Sequence, residues 1–326
     1  MSSRRHPALT TLALLYILTL NVCAFAAAPN SQEYPTQILR TGVDLNTTDI
    51  SPNSRQLADI LKLTPLLERN QTLRKKIDPT NFDPTLENLA MGQQLIACVS
   101  ESTQIIQEAN LAVDFVLAEL QAEQNIYNEI LTTYINDRDK TTLRTNAISY
   151  ILNGALWSVC EGLSIPTYSD AKLSIPSGIT GIMAGIVPSI ASIYALKQLS
   201  GKKQISEKDP NMLAKIFDYP VTPEIDYPKC VWDFLNTAQV GEPPTKTRRA
   251  LLIERWIVDK NIPGFTESTA TKQLDVITAS VPRKKALDIS ALNTRLAMLQ
   301  QLGAEILKMK RMLLELSMVV HGEKNI

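Results

Sequence analysis

The chain has 326 residues, and its 33 basic and 33 acidic side chains give a formal net charge of zero at pH 7. A hydrophobic content of 44% can supply a folded core, whereas the balanced charge argues against a nucleic-acid partner, which needs a concentrated basic surface. The charge is unevenly spread, because residues 27–199 carry 12 basic and 18 acidic residues (−6) and residues 200–326 carry 19 and 15 (+4).

Residues 1–26 have the three parts of a secretory signal peptide. Basic residues precede an apolar run from Leu9 to Phe25, and Ala24-Phe25-Ala26 forms a small-x-small cleavage site. We therefore expect an exported chain that begins at Ala27 and lies in the cell envelope, either in the periplasm or anchored in the membrane, with secretion as the alternative. An uncleaved anchor is a second alternative, because about 17 apolar residues approach the lower limit for a membrane span.

Residues 27–83 are rich in Pro, Asn and Thr. Frequent prolines interrupt helices and favour extended or turn conformations. The composition predicts an extended arm with one short helix near 54–68 and a second near 70–77.

Residues 84–139 are predicted to form a long helix with a coiled-coil seam. The seam runs through Leu95, Val99, Ser102, Ile106, Ala109, Val113, Val116, Leu120, Glu123, Tyr127, Ile130 and Tyr134. Ten of these twelve positions are apolar or aromatic, and Glu123 interrupts the stripe once. Alternating steps of four and three residues keep one side of a supercoiled helix facing a partner. The prediction places the end of this helix near Asp137.

Residues 140–200 are predicted to be an apolar helical hairpin or a transmembrane region. Positions 173–196 carry no charge and are long enough to cross a bilayer as a single span, which the sequence favours over insertion of a hairpin. Prolines and serines in the segment support the alternative of a helix buried in a soluble bundle. Gly178, Gly181, Gly185 and Ser189 are predicted to form one groove that lets another helix approach closely.

Residues 201–285 contain many prolines, which predict a region of short helices at about 229–237, 246–260 and 269–279. The middle helix would place Ile253 and Trp256 on one face and its arginines off that face. We interpret it as a helix that faces the core and exposes its arginines to solvent, with a membrane-surface helix as the alternative.

Residues 286–322 are predicted to form a second long helix, capped by Asp288 or Ser290. Its apolar stripe again advances in steps of three and four and includes Ile306 and Leu313. This helix is a natural antiparallel partner for residues 84–139, although self-association through either seam is an open alternative.

The sequence contains no motif that indicates catalysis, a cofactor or a metal. Its two histidines, His6 and His321, allow no histidine metal cluster, and no phosphate-binding glycine loop of the required pattern occurs. Asp137 and Asp139 are interpreted as solvent-exposed acids near a helix end. Three cysteines remain after cleavage; they could form one disulfide and leave one thiol, but we interpret all three as small buried residues.

The fold class predicted is therefore mainly α, a long antiparallel helical or coiled-coil bundle with a central glycine-notched apolar helix and a Pro-broken helical region. Its layout is similar to that of helical pore-forming toxins, but no motif carries the likeness. The leading expectation is a non-enzymatic envelope protein that acts as a scaffold or interaction module, with membrane lipid and another helical protein or a second copy as partners. A secreted membrane-active effector is the alternative, and an enzyme that uses carboxylates alone ranks last.

Overall fold

The computed structural model describes residues 41–77, 85–168, 172, 174–198, 204–205, 211–264, 270–279 and 285–326. The predicted signal peptide, residues 27–40 of the predicted arm and its end at 78–83 lie outside these residues. The described chain is mainly helical, as predicted.

The helices are α1 (Pro52–Ile60), α2 (Thr64–Lys76), α3 (Leu86–Ser164), α4 (Ser174–Gln198), α5 (Leu213–Ile216), α6 (Lys229–Leu235), α7 (Arg248–Val258), α8 (Ala270–Ile277) and α9 (Ile289–His321). Two 3₁₀ turns lie at Ile165–Tyr168 and Pro223–Ile225. Two short strands, β1 (Gln204–Ile205) and β2 (Lys285–Leu287), pair antiparallel. Helices α6, α7 and α8 lie within two residues of their predicted ends.

The single helix predicted over 54–68 is instead two helices, α1 and the start of α2. The chain turns between them at Lys62, whose φ of 58° is left-handed. Pro65 fits this break, because a proline has no N–H for the hydrogen bond to the residue four positions earlier, so it is tolerated in the first turn of α2 but not inside one helix that continues from α1.

The long helix α3 continues well past its predicted end near Asp137. It runs without interruption for 79 residues, a length of about 120 Å. No proline or glycine occurs between Gly92 and Gly154, so nothing in the sequence stops the helix at the acidic residues. Asp137 and Asp139 lie on its exposed surface, where Asp139 forms an ion pair with Arg138 at 2.8 Å.

Helices α3 and α9 pack side by side in opposite directions. Arg295 stacks over the ring of Tyr127, Gly303 lies against Leu120, and Lys310 forms an ion pair with Asp114 at 2.7 Å. These three contacts show that the two helices are antiparallel.

The predicted seam lies largely in the core of this pair. Its buried members are Ser102, Ile106, Ala109, Val113, Val116, Leu120 and Tyr127 on α3 and Leu299, Leu302, Ile306, Met309, Leu313, Leu316 and Val320 on α9. Leu95 and Val99, nearer the start of α3, are half-buried. Glu123 interrupts the stripe for a reason: its Oε1 accepts a hydrogen bond from the backbone N–H of Met212 at 2.8 Å, just before α5.

The short helices of the Pro-broken region complete this core with Phe234 and Trp256, both fully buried. Arg248 is also buried, so the prediction that it faces solvent is wrong. Its guanidinium donates to the carbonyl of Thr237 at 2.9 Å and to Gln56 Oε1 at 3.1 Å. A buried arginine is tolerated here because these acceptors replace water.

A buried ion pair ties the two ends of the described chain together. Lys324 Nζ donates to Glu315 Oε1 at 2.6 Å, and both side chains are at most 1% exposed. Ser51 donates to the other carboxylate oxygen at 2.5 Å, and Lys324 also donates to the carbonyl of Asp44 at 2.6 Å. Burial alone would raise the pKa of Glu315, but the hydrogen bonds from Lys324 and Ser51 hold it below its ordinary value.

Candidate functional site

The most unusual feature of the structure is an apolar helical hairpin. Its first leg is residues 145–164 of α3, and its second leg is α4. The α-helix gives way to a 3₁₀ turn at Ile165, where Pro166 cannot donate a backbone hydrogen bond. We call these two legs the hairpin and the remaining described residues the body.

The two legs meet through small and polar residues. The thiol of Cys160 donates to the carbonyl of Ser177 at 3.2 Å, and the hydroxyl of Ser177 donates to the carbonyl of Cys160 at 3.1 Å. Nearby, a Cβ added to Gly181 would lie only 3.3 Å from Cys160 Sγ. Ser149 and Ala184 are buried farther along the legs. The backbones of the two legs therefore approach closely at Cys160, Ser177 and Gly181, while Leu156 and Leu163 on the same side of the first leg are half-buried.

Large apolar side chains cover the outer surface of the hairpin. Those exposed between positions 148 and 194 are Ile148, Tyr150, Ile151, Leu152, Trp157, Val159, Ile165, Ile175, Ile179, Ile182, Met183, Ile186, Ile190, Ile193 and Tyr194. These 15 are more than half of the 26 exposed large apolar residues in the described chain. Soluble monomers rarely expose a contiguous apolar patch of more than about 300–600 Å². The hairpin therefore has a surface suited to an apolar environment.

Charged residues are confined to the two ends of the hairpin. The sequence has no charge at positions 145–160 or 173–196. Arg144 precedes the first leg, whereas Glu161 lies in its last turn and Lys172 in the connection. We call the end near Arg144 the base and the end near Glu161 the tip.

The four small residues predicted to form one groove do not all face one partner. Gly181 faces Cys160, but a Cβ added to Gly178 or Gly185 would meet nothing within 4 Å, and Ser189 is exposed. The helix turns by about 100° per residue, and this rotation places these three on a flank of α4. The surface that contacts α3 instead follows Ser177, Gly181 and Ala184.

The sequence prediction missed the matching polar stripe on the first leg. Ser149, Asn153 and Cys160 recur near helical spacing on the face toward α4, where Ser149 and the Asn153 Oδ1 atom are buried. The signal was present as small and polar residues at steps of three and four inside an apolar segment. The prediction for residues 140–200 used the overall apolar content of the segment. That average does not show which small and polar residues share one helix face.

The side chains with possible chemistry are dispersed. Within the described ranges, no group of three or more His, Cys, Asp or Glu side chains is arranged to hold a metal ion. Cys98, Cys160 and Cys230 are free thiols, and only Cys98 is fully buried, so the interpretation of all three as buried is only partly correct. His321 lies at the end of α9, with its Nδ1 atom 2.7 Å from the carbonyl oxygen of Ser317.

Within the described chain, one helical segment is long and apolar enough to cross a membrane. It is Ser174–Tyr194 of α4, which has 21 residues and a mean hydropathy of 1.4 and of which few residues are buried. Comparison with known proteins adds no assignment to this geometry: no protein-family model matches the chain, and no curated protein or solved structure shows significant similarity to it.

Proposed function

We propose that this is a non-enzymatic, exported cell-envelope protein that the hairpin attaches to a membrane and whose body acts as a helical scaffold or interaction module. One observation carries the proposal: the buried side chains of the hairpin, Ser149, Ser177 and Ala184, are small, whereas most of its large apolar side chains are exposed. In water the hydrophobic effect favours the reverse arrangement. In a bilayer the lipid tails solvate large apolar side chains, and helices pair through small residues and interhelical hydrogen bonds.

The dimensions of the hairpin support the same proposal. Residues 145–164 of the first leg have a helical length of about 30 Å, and Ser174–Tyr194 has nearly the same length. A bilayer hydrocarbon core is also about 30 Å thick. Both legs would cross the bilayer, and Glu161 at the tip would lie near the far headgroups, where a carboxylate is tolerated.

The paired legs favour insertion as a hairpin over the single span preferred from sequence. Inserting α4 alone would separate Cys160 from Ser177 and leave the apolar first leg in water. Inserting both legs keeps their contacts and returns the chain to the same side of the membrane. The body would then stay on one side as a single folded unit.

The body is proposed to act through its paired long helices. Coiled-coil packing of α3 against α9 would make the body a stiff rod. On the hairpin, the exposed flank of Gly178, Gly185 and Ser189 would be open to another helix. The partner proposed for these surfaces is another helical protein or a second copy of the chain.

A pair of matched double variants tests membrane attachment. Ile182→Lys/Ile190→Lys places two charges on the outer face of the hairpin, where the native side chains are 66% and 61% exposed. Leu111→Lys/Ile126→Lys makes the same change on the body, at side chains 67% and 55% exposed. A lysine at the centre of a bilayer-spanning helix costs about 2.5–3.5 kcal/mol, whereas one in water costs little.

We expect washed membranes of expressing cells to retain the wild-type chain and the body variant until detergent is added. The hairpin variant should be lost from the membrane pellet or poorly inserted. Release of all three proteins by a salt wash would overturn the proposal. So would equal retention of both variants, because retention would then not depend on the outer face of the hairpin.

A secreted membrane-active effector is the second candidate. It is favoured by the extensive core of the body, to which the hairpin contributes little, because a folded body could keep its structure while the hairpin inserts. This candidate predicts that purified protein releases dye from liposomes. Liposomes that keep their dye in the presence of bound protein would remove the effector and leave the envelope scaffold.

A further inference from the structure

We infer that the base of the hairpin binds anionic lipid headgroups. The inference rests on the proposed function, because it concerns which lipid surface the hairpin enters. It depends on a different observation, namely the positions of the cations where the apolar legs end.

Two described cations lie directly before the first leg. Lys140 and Arg144 are both exposed and are four residues apart on α3, so they occupy one face of the helix. Neither has an ion-pair partner among the salt bridges of the described residues. Arg144 is also the last charge before sixteen uncharged positions. Its guanidinium therefore lies at the level where the hydrocarbon would begin.

The sequence of the second leg also ends with a basic residue. Cys160 is opposite Ser177 and Gly181, so in an antiparallel pair residue 144 lies opposite positions 193–197 of α4. Lys197 is the first charge after the uncharged stretch of α4. With the legs inserted to their full apolar length, both would carry a positive residue into one headgroup layer.

Nearby acids reduce this charge only in part. Asp139 pairs with Arg138, and Asp137 lies one helical turn farther from the hairpin than Lys140. The net charge of these four residues together with Arg144 and Lys197 is +2, from four cations and two anions. At the tip, the sequence between the two uncharged stretches carries Glu161, Asp170 and Lys172, which give a net charge of −1. The charge difference favours contact of the base, not of the tip, with an anionic surface.

The test compares the full mature chain with two double variants. Lys140→Gln/Arg144→Gln removes the cations at the base. Lys75→Gln/Lys76→Gln removes two exposed cations at the end of α2, in the body. Each protein is diluted from detergent into phosphatidylcholine vesicles with or without phosphatidylglycerol. The bound fraction is measured by flotation after a short incubation with limiting lipid.

We expect the wild type to partition more strongly into the anionic vesicles at low salt. Each basic residue near an anionic surface raises the partition coefficient by a factor of about 5. The preference of the base variant for anionic vesicles should therefore be lower than that of the wild type by a factor of about 30. The α2 variant should match the wild type. At about 1 M salt, where screening extends over only about 3 Å, the preference of the wild type should disappear.

Equal binding of the wild type to both vesicle types would overturn this inference and leave membrane attachment intact. An unchanged anionic preference in the base variant would overturn it as well. Failure of the wild type to bind either vesicle type would instead contradict the proposed function.

Discussion

The two halves of helix α3 follow opposite rules along one continuous backbone. Between positions 102 and 127 most of its large apolar side chains are buried or half-buried in the body, with Leu111, Phe115 and Ile126 exposed, and the outer face also carries polar residues such as Gln104 and Glu108. Beyond Arg144 the buried side chain is the small Ser149, and Trp157 and most other large apolar side chains are exposed. Backbone geometry cannot cause this difference, because the helix is the same.

The difference supports the proposal that the first half is suited to water and the second half to a membrane. Burial of apolar side chains stabilises the first half in water. The same effect does not explain the second half, where most large apolar side chains remain exposed and only small side chains are fully buried. If the comparison is sound, substitutions should have large effects in the body and small effects on the outer face of the hairpin, whereas the inner face should be sensitive to size.

The largest effect is expected at the buried ion pair, at the end of the body away from the hairpin. Lys324→Met removes the cation and leaves the carboxylate of Glu315 buried without it. We expect a loss of about 3–5 kcal/mol in the free energy of unfolding of the body, measured by urea denaturation. Pairing of the hairpin legs, followed by the reactivity of the Cys160 thiol before the unfolding transition, should not change.

A double variant and a pH series control this experiment. Lys324→Met/Glu315→Met should recover much of the loss, because no charge is then buried. In the wild type the pKa of folded Glu315 lies below its ordinary value of 4.5, so the stability it contributes is present above that pH and is lost as the pH falls through the folded pKa. The difference between wild type and Lys324→Met should therefore narrow in acid. A constant difference would show that the loss does not come from the charge.

The second effect compares truncations in the two regions. Leu120→Ala removes a side chain that is 1% exposed between α3 and α9, and should cost about 2–5 kcal/mol. Ile182→Ala removes a side chain that is 66% exposed, and in detergent should change stability by less than about 0.5 kcal/mol. Thermal unfolding in the same detergent measures both. A large loss for Ile182→Ala would mean that its side chain packs on protein, which would break the comparison.

The sequence predicted the body better than the hairpin, for a physical reason. In water, a regular apolar stripe such as Val113, Val116 and Leu120 is expected to face the protein core, and these side chains are buried in the structure. Asp137 and Asp139 were interpreted as a helix end, but exposed acids are compatible with a helix interior, and only Gly or Pro would have argued for a stop. The break at Lys62 depended on Pro65, which is tolerated in the first turn of α2 but not in the interior of one continuous helix.

The inner face of the hairpin could not be predicted from the glycine spacing alone. Steps of three or four residues between Gly178, Gly181 and Gly185 identify a helix surface with little side-chain volume, but not the part of that surface that meets a partner. The partner was the end of α3, which the sequence placed with α4 in one apolar region, residues 140–200, without giving the register of the two legs. The face was settled by Cys160 and Ser177, whose contacts require the register of the two legs.

The smallest effect tests this assignment directly. Gly181→Leu would force a side chain against Cys160 Sγ, which already lies 3.3 Å from the position of an added Cβ, and should cost the hairpin about 1–3 kcal/mol. Gly185→Leu gains the same helix propensity but meets nothing within 4 Å, so it should be neutral or slightly stabilising. In Gly181→Leu the separated legs should let a maleimide reach Cys160 faster, while the body thiol Cys230 reacts at an unchanged rate and serves as the internal reference. Equal Cys160 reactivity in both variants would mean that the legs do not pair through Gly181. The proposed difference between the body and the hairpin would then have no support from the contact between the legs.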